Sequence, residues 1–190
     1  MSTGEIQLFN NNLVGDGWWF LPFINPFSRR ADGACYGLLM QAIRLYFVLV
    51  FVVGSLFAEN WPTWRGSLGT GVSDEKSLPL EWSVTKNVKW KAALSERGNS
   101  SPVVWGDKVF ITQAIENEGR RTLMCFDRRK GKLLWRRGIV YKEKEITHRT
   151  NPYCSASPVT DGERVIVSHA SAGLFCYDFN GKELWRRVLG

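Results

Sequence analysis

One pattern is written twice in this chain, about fifty residues apart, and that repetition constrains the fold more than any other feature. Leu123-Met-Cys-Phe-Asp-Arg-Arg-Lys-Gly-Lys-Leu-Leu-Trp-Arg-Arg137 returns as Leu174-Phe-Cys-Tyr-Asp-Phe-Asn-Gly-Lys-Glu-Leu-Trp-Arg-Arg187. Cys125 maps onto Cys176 at a separation of 51, and Trp135 onto Trp185 at a separation of 50, so the first copy carries one extra turn residue. A strand, a Gly turn and a Trp strand recurring at this period form the pattern of a β-propeller blade.

The repeat extends backwards. Ser101-Pro-Val-Val-Trp-Gly-Asp-Lys-Val109 aligns with Ser157-Pro-Val-Thr-Asp-Gly-Glu-Arg-Val165 at a constant offset of 56. Each unit therefore reads as four short strands: 102–104, 108–113, 122–127 and 132–137, then 158–160, 164–169, 173–178 and 182–187. Val, Ile, Phe and Trp supply surfaces that suit a pleated sheet, and the Gly-Asp, Asp-Gly and Asn-Gly pairs mark turns. Asn180-Gly181 is the strongest hairpin signal, because both residues tolerate positive φ. Pro102 and Pro158 stand at strand starts, where no ladder donor is needed.

Val88-Lys-Trp-Lys91 resembles the Leu-Trp-Arg-Arg strands, with Trp90 lying 45 residues before Trp135. It reads as the outer strand of a preceding blade whose other strands are absent on the N-terminal side. The expected fold is all-β: a β-propeller of four-stranded antiparallel blades, about two blades present plus one orphan strand. Rings typically close with about four to eight blades, so two cannot close one. Either several copies assemble or the natural chain is longer, and the lack of a capping repeat favours the second.

Residues 1–58 are set apart from the fold. Leu45–Ala58 is an uncharged apolar run preceded by Arg44 and followed by Glu59-Asn60. It falls short of the roughly 20 residues that cross a bilayer, and it suits a signal peptide over 40–58 with cleavage after Ala58. The alternative, a membrane anchor over 34–58, would have to bury Arg44. Met40 opens a well-proportioned basic region, which makes residues 1–39 an over-called start or a disordered leader. An extended segment over 59–87 and partial propeller repeats over 88–190 complete the organisation. Export to the periplasm or beyond is expected, with anchoring to the inner membrane as the alternative and membrane contact only through the N-terminal segment.

The leader holds three basic and three acidic residues, so the formal charge of +7 belongs to the remainder. A basic surface favours anionic partners, although Arg-Arg pairs at blade ends equally read as the wet side of an outer strand. The cations are scattered and no reading module is present, so nucleic acid is not an expected partner. Outside the leader stand Cys125, Cys154 and Cys176, an odd count that describes no disulfide framework. Cys125 and Cys176 read as buried small hydrophobes, and Cys154 as a loop residue able to be free. Two histidines support no His-rich metal site, Gly-Lys sits in hairpins rather than a phosphate loop, and no paired carboxylates suggest acid–base work.

With these motifs in view, residues 60–190 resemble the pyrroloquinoline-quinone-repeat-like propellers, found in quinoprotein dehydrogenases and in a non-enzymatic outer-membrane assembly lipoprotein. The resemblance rests on the two repeats ending at Trp135 and Trp185, on Asn60-Trp-Pro-Thr-Trp-Arg-Gly66 and on Gly69-Thr-Gly-Val-Ser73. It implies that Trp90, Trp135 and Trp185 dock blades by stacking over the Gly-bearing turn of a neighbour. Gly131 and Gly181 are the matching seats, and Asp127 and Asp178 hold their turns through side-chain to backbone hydrogen bonds. The family's quinone and calcium are held by adjacent cysteines and a set of acidic and Asn ligands. No two cysteines are adjacent here, so no cofactor is expected, and PQQ with calcium enters only if the chain is part of an oxidoreductase.

The candidate ligand surface is the polar loop 147–154 with its counterpart 96–100. Arg97, Asn99, His148, Arg149 and Asn151 are placed to line the mouth of a central channel, where propellers bind ligands. The bland alternative is that His148 caps a turn and Asn151-Pro152 starts one. Three readings stand: a non-catalytic binding scaffold for a protein or polysaccharide, part of a quinone-dependent oxidoreductase, or a gene fragment without independent function. Self-assembly is open if two blades exist alone.

Overall fold

The computed structural model describes residues 4–9 (as backbone), 59–76, 78–96 and 98–188. The apolar run 45–58 and Arg97 lie outside the described residues. Among the described residues no helix is long and apolar enough to cross a membrane. The architecture is all-β, a partial propeller.

Two four-stranded antiparallel sheets follow the two repeats. The first comprises β3 (Val103–Trp105), β4 (Lys108–Ile115), β5 (Arg120–Asp127) and β6 (Leu133–Val140), paired in chain order. The second comprises β7 (Val159–Thr160), β8 (Arg164–Ser168), β9 (Leu174–Asp178) and β10 (Glu183–Arg187). Cys125 faces Trp135 and Cys176 faces Trp185 in register, with an irregularity beside each Trp on the turn side. Strands β4, β5 and β6 run two or three residues beyond their expected ends. Gly119, at φ +61, closes a tight turn after Glu116–Glu118 and lets pairing continue to Ile115↔Arg120.

The middle strands are buried on both faces, which is why β4 and β5 read as near-continuous apolar runs rather than alternating ones. Phe110, Leu123 and Cys125 turn one way and meet Val165, Val167, Phe175 and Tyr177 of the second blade. Val109, Ile111, Met124 and Phe126 turn the other way, towards Trp90, Ala92 and Leu94. Strands β6 and β10 are mostly exposed, as outermost strands of blades.

The orphan strand corrects one expectation. β2 (Val88–Leu94) pairs antiparallel with β1 (Gly4–Phe9), from Gly4↔Leu94 to Phe9↔Val88. In the sequence these residues fall within the leader, and β2 is expected to have no partner on the N-terminal side. An unpaired strand edge attracts any extended segment of suitable pattern, and Ile6 and Leu8 alternating with Glu5 and Gln7 supply that period of two.

The segment ahead of β2 also has a structural task. Trp61 exchanges two backbone hydrogen bonds with Val104 of β3, at 2.7 and 2.8 Å, and the carbonyl of Pro62 accepts from the N–H of Thr160 in β7 at 3.0 Å. Residues 60–62 thus stitch the innermost strands of both blades together at the end carrying the β3–β4 and β7–β8 turns.

Candidate functional site

The two blades are joined at both ends, and the joints decide what the loops between them can present. At one end the joints are Trp–Gly seats. Trp90 covers Gly131 so closely that a Cβ there would overlap its ring, and its Nε1 donates to the carbonyl of Arg128 at 2.7 Å. Trp135 covers Gly181, where a Cβ would lie 2.8 Å from Cδ2, and its Nε1 donates to the carbonyl of Phe179 at 3.0 Å. The flat indole needs a residue without a side chain beneath it, and the turn needs the positive φ that both glycines adopt. Asp127 Oδ1 accepts from the N–H of Lys130, and Asp178 Oδ1 accepts from those of Asn180 and Lys182, so each Asp closes its own turn. Trp185 is 37% exposed against 9% for Trp135, and no described glycine seats it.

A further stack escapes the sequence repeat. Trp105 lies over Gly162, where a Cβ would come within 2.5 Å of Cζ2. The second copy carries Asp161 where the first has Trp105, so comparing the copies conceals this contact.

At the other end the joint is ionic. Arg121, on β5, is 2% exposed, and its environment supplies the partners that a buried guanidinium demands. Its Nη2 pairs with Glu145 Oε2 at 2.7 Å, and its Nη1 donates to the carbonyl of His169 at 2.6 Å. The rings of Tyr141 and Tyr153 sandwich the guanidinium, each with its centroid 4.6 Å away. Glu145 Oε1 also accepts from the N–H of Ser171 at 2.7 Å. Burial alone would raise the Glu145 carboxyl, but hydrogen bonds from Ser171 and Arg121 outweigh it and hold the group below the usual carboxylate range. The cluster therefore ties the first blade, the linker 141–158 and the second blade together. Its only sequence signal is a charged pair, Arg120-Arg121, at the start of an otherwise apolar strand.

His169 sits inside this joint, fully buried, with Nδ1 3.5 Å from the Sγ of Cys154 and its ring against Phe175. Burial, reinforced by the charge of Arg121, lowers its pKa to about 4. Burial likewise pushes the Cys154 and Cys125 thiols up to about 12, so neither is a reactive thiolate. Cys154, a free thiol in a loop as the sequence suggests, is buried at a positive φ of 60°, its carbonyl accepting from Thr112 Oγ1. Neutral His169 has a consequence for pH. The unfolded ring takes a proton near 6.5 and the folded one only near 4, so stability falls as the pH drops through that window. His169→Phe is expected to flatten the decline in melting temperature between pH 7 and pH 4.5, and an unchanged slope would contradict the assignment.

The expected ligand surface is partly assembled. Asn99 Nδ2 donates to the carbonyl of Thr150 at 2.7 Å, which brings the 98–100 and 147–151 loops together. His148 Nδ1 lies 2.8 Å from Thr150 Oγ1, and its carbonyl accepts from the N–H of Asn151. His148 therefore does hold a turn, as the bland reading has it. Arg149 and Asn151 are exposed beside it, and Arg97 is not described. Next to this loop lies a cavity of about 220 Å³, with Arg121, Tyr141 and Tyr153 in its wall. Among the described residues no three His, Cys, Asp or Glu side chains gather as metal ligands.

Trp–Gly-seated four-stranded sheets at this period define the class as a PQQ-repeat propeller. The family pattern of outer membrane protein assembly factor BamB matches residues 80–189, and the chain belongs to that family. No curated protein matches the chain. Similar solved structures include BamB from Moraxella catarrhalis, at 21% identity and a TM-score of 0.42, covering 55% of this chain and 28% of that one. A europium-containing methanol dehydrogenase shows 18% identity and a TM-score of 0.36, covering 54% and 19% respectively. The chain thus spans less than a third of either.

Proposed function

We propose that this chain acts as an exported, non-catalytic propeller scaffold that binds a macromolecular partner through its 141–156 loop face. The observation that carries the reading is the Arg121–Glu145 joint. It fixes the linker to both blades while His148, Arg149 and Asn151 stay exposed. A pre-ordered loop on a rigid scaffold loses little entropy on binding, which is what a recognition surface requires. The family's description as an assembly factor favours a protein over a polysaccharide as the partner.

The catalytic alternative is tested by titrating the full chain with PQQ and calcium while following quinone absorbance. No saturable spectral change is expected, because no two cysteines are adjacent in the sequence and no cluster of His, Cys, Asp or Glu gathers among the described residues. A stoichiometric change would overturn the non-catalytic reading. Export predicts a mature N-terminus at Glu59 in the periplasmic or secreted fraction, which removes β1 and frees the edge of β2, and retention of residues 40–58 would favour the anchored alternative.

A further inference from the structure

The geometry points to the apex of the linker, around Ile146, as a docking finger for an acidic, extended protein segment. The inference rests on the scaffold reading above and names the class of its partner. Lys142-Glu-Lys-Glu145 looks balanced in sequence, but the fold removes one of its charges from the surface. Glu145 is spent on Arg121 and Ser171. Lys142, Lys144 and Arg149 make no ion pair among the described residues, which leaves Glu143 as the only exposed carboxylate of the linker. The anchored loop is therefore net positive.

Ile146 follows Glu145 and is fully exposed. A lone exposed aliphatic residue is ordinary, but this one stands on a fixed support. Tyr153 Oη accepts from the N–H of Glu145 at 3.1 Å and donates to its carbonyl at 3.2 Å. Ile115, Tyr141 and Tyr153 line the neighbouring cavity, where the four cationic side chains of Arg120, Arg121, Lys142 and Lys144 outnumber the carboxylates of Glu116 and Glu143. An acidic segment meets complementary charge there, which steers encounter and fixes register. Burial of Ile146 against an apolar side chain of that segment adds the non-directional part of the affinity.

The test begins with random dodecapeptides displayed on phage, selected on the full chain. Enriched sequences are expected to carry clustered Asp or Glu around an apolar residue. The enriched peptide, made with a fluorescein label, then reports affinity by anisotropy. Lys142→Glu combined with Lys144→Glu is expected to weaken binding at least tenfold, and Ile146→Ser to do the same. Lys130→Glu, on the β5–β6 turn at the opposite end of the blade, should leave it within about twofold. Unchanged circular dichroism and melting temperature confirm that each variant folds. Peptides lacking acidic residues, or binding that survives both loop variants, would overturn the docking finger and leave the scaffold reading standing. Competition by a heparin fragment as strong as by the peptide would make this a general polyanion site and overturn the protein assignment. No enriched peptide at all would overturn both readings.

Discussion

Trp135→Ala is expected to cost about 3–5 kcal/mol of unfolding free energy, on the scale of deleting a large buried aromatic side chain. The indole sits between the sheets, its ring near Phe110 and Tyr177 and its edge over Gly181. Truncation opens a cavity at the inter-blade core and leaves the Phe179 carbonyl without its donor. Trp185→Ala supplies the control. Trp185 holds the same place in the repeat but remains 37% exposed, so its loss in this 190-residue chain should cost less than half as much. Urea unfolding of both variants, followed by far-ultraviolet circular dichroism, makes the comparison. Equal losses would contradict the view that seating over a glycine, rather than tryptophan itself, stabilises the array.

Glu145→Ala is the second large effect, expected to cost about 3 kcal/mol because it strands the buried Arg121 charge. The carboxylate also holds the N–H of Ser171, so the second blade loosens with the linker. Replacing both members, as Arg121→Met with Glu145→Leu, is expected to recover more than half of that loss. A buried ion pair is costly to break singly but need not outperform an apolar substitute. Denaturation midpoints of the two single variants and the double variant complete the cycle. A double variant as unstable as the sum of the singles would show that the pair does not act as a unit.

The two losses differ in how visible they were in the sequence. The Trp–Gly seats are legible because a Gly turn and a Trp recur together in each copy, and the Trp of one unit covers the Gly of the next: Trp90 over Gly131, Trp135 over Gly181. Repetition converts a local contact into a pattern. The Arg121 joint occurs once, between residues of unlike type spread from β5 to the loop after β8, so no period announces it. Trp105 over Gly162 was hidden for the same reason, since the second copy places Asp161 at the matching position. Trp61 and Pro62 recruit backbone rather than side chains, and backbone pairing leaves almost no trace in composition. The candidate loop was found because polar residues crowd it, yet what anchors it, Glu145 and Tyr153, looked like ordinary linker residues. Pairing of β1 with β2 is hard to read from sequence because only Glu5 to Leu8 alternate, a pattern too short to stand out from the adjoining leader.

The central claim is that the joined blades hold the 141–156 loop out as a binding surface. Photo-crosslinking from position 149 in the cells that produce the protein tests it most directly. A photoreactive residue at Arg149 is expected to give one discrete protein adduct that disappears when Glu145→Ala releases the loop. The same probe at Leu134, on the outer strand β6, should give none. Adducts from position 134 alone, or an adduct at position 149 indifferent to Glu145, would contradict the account.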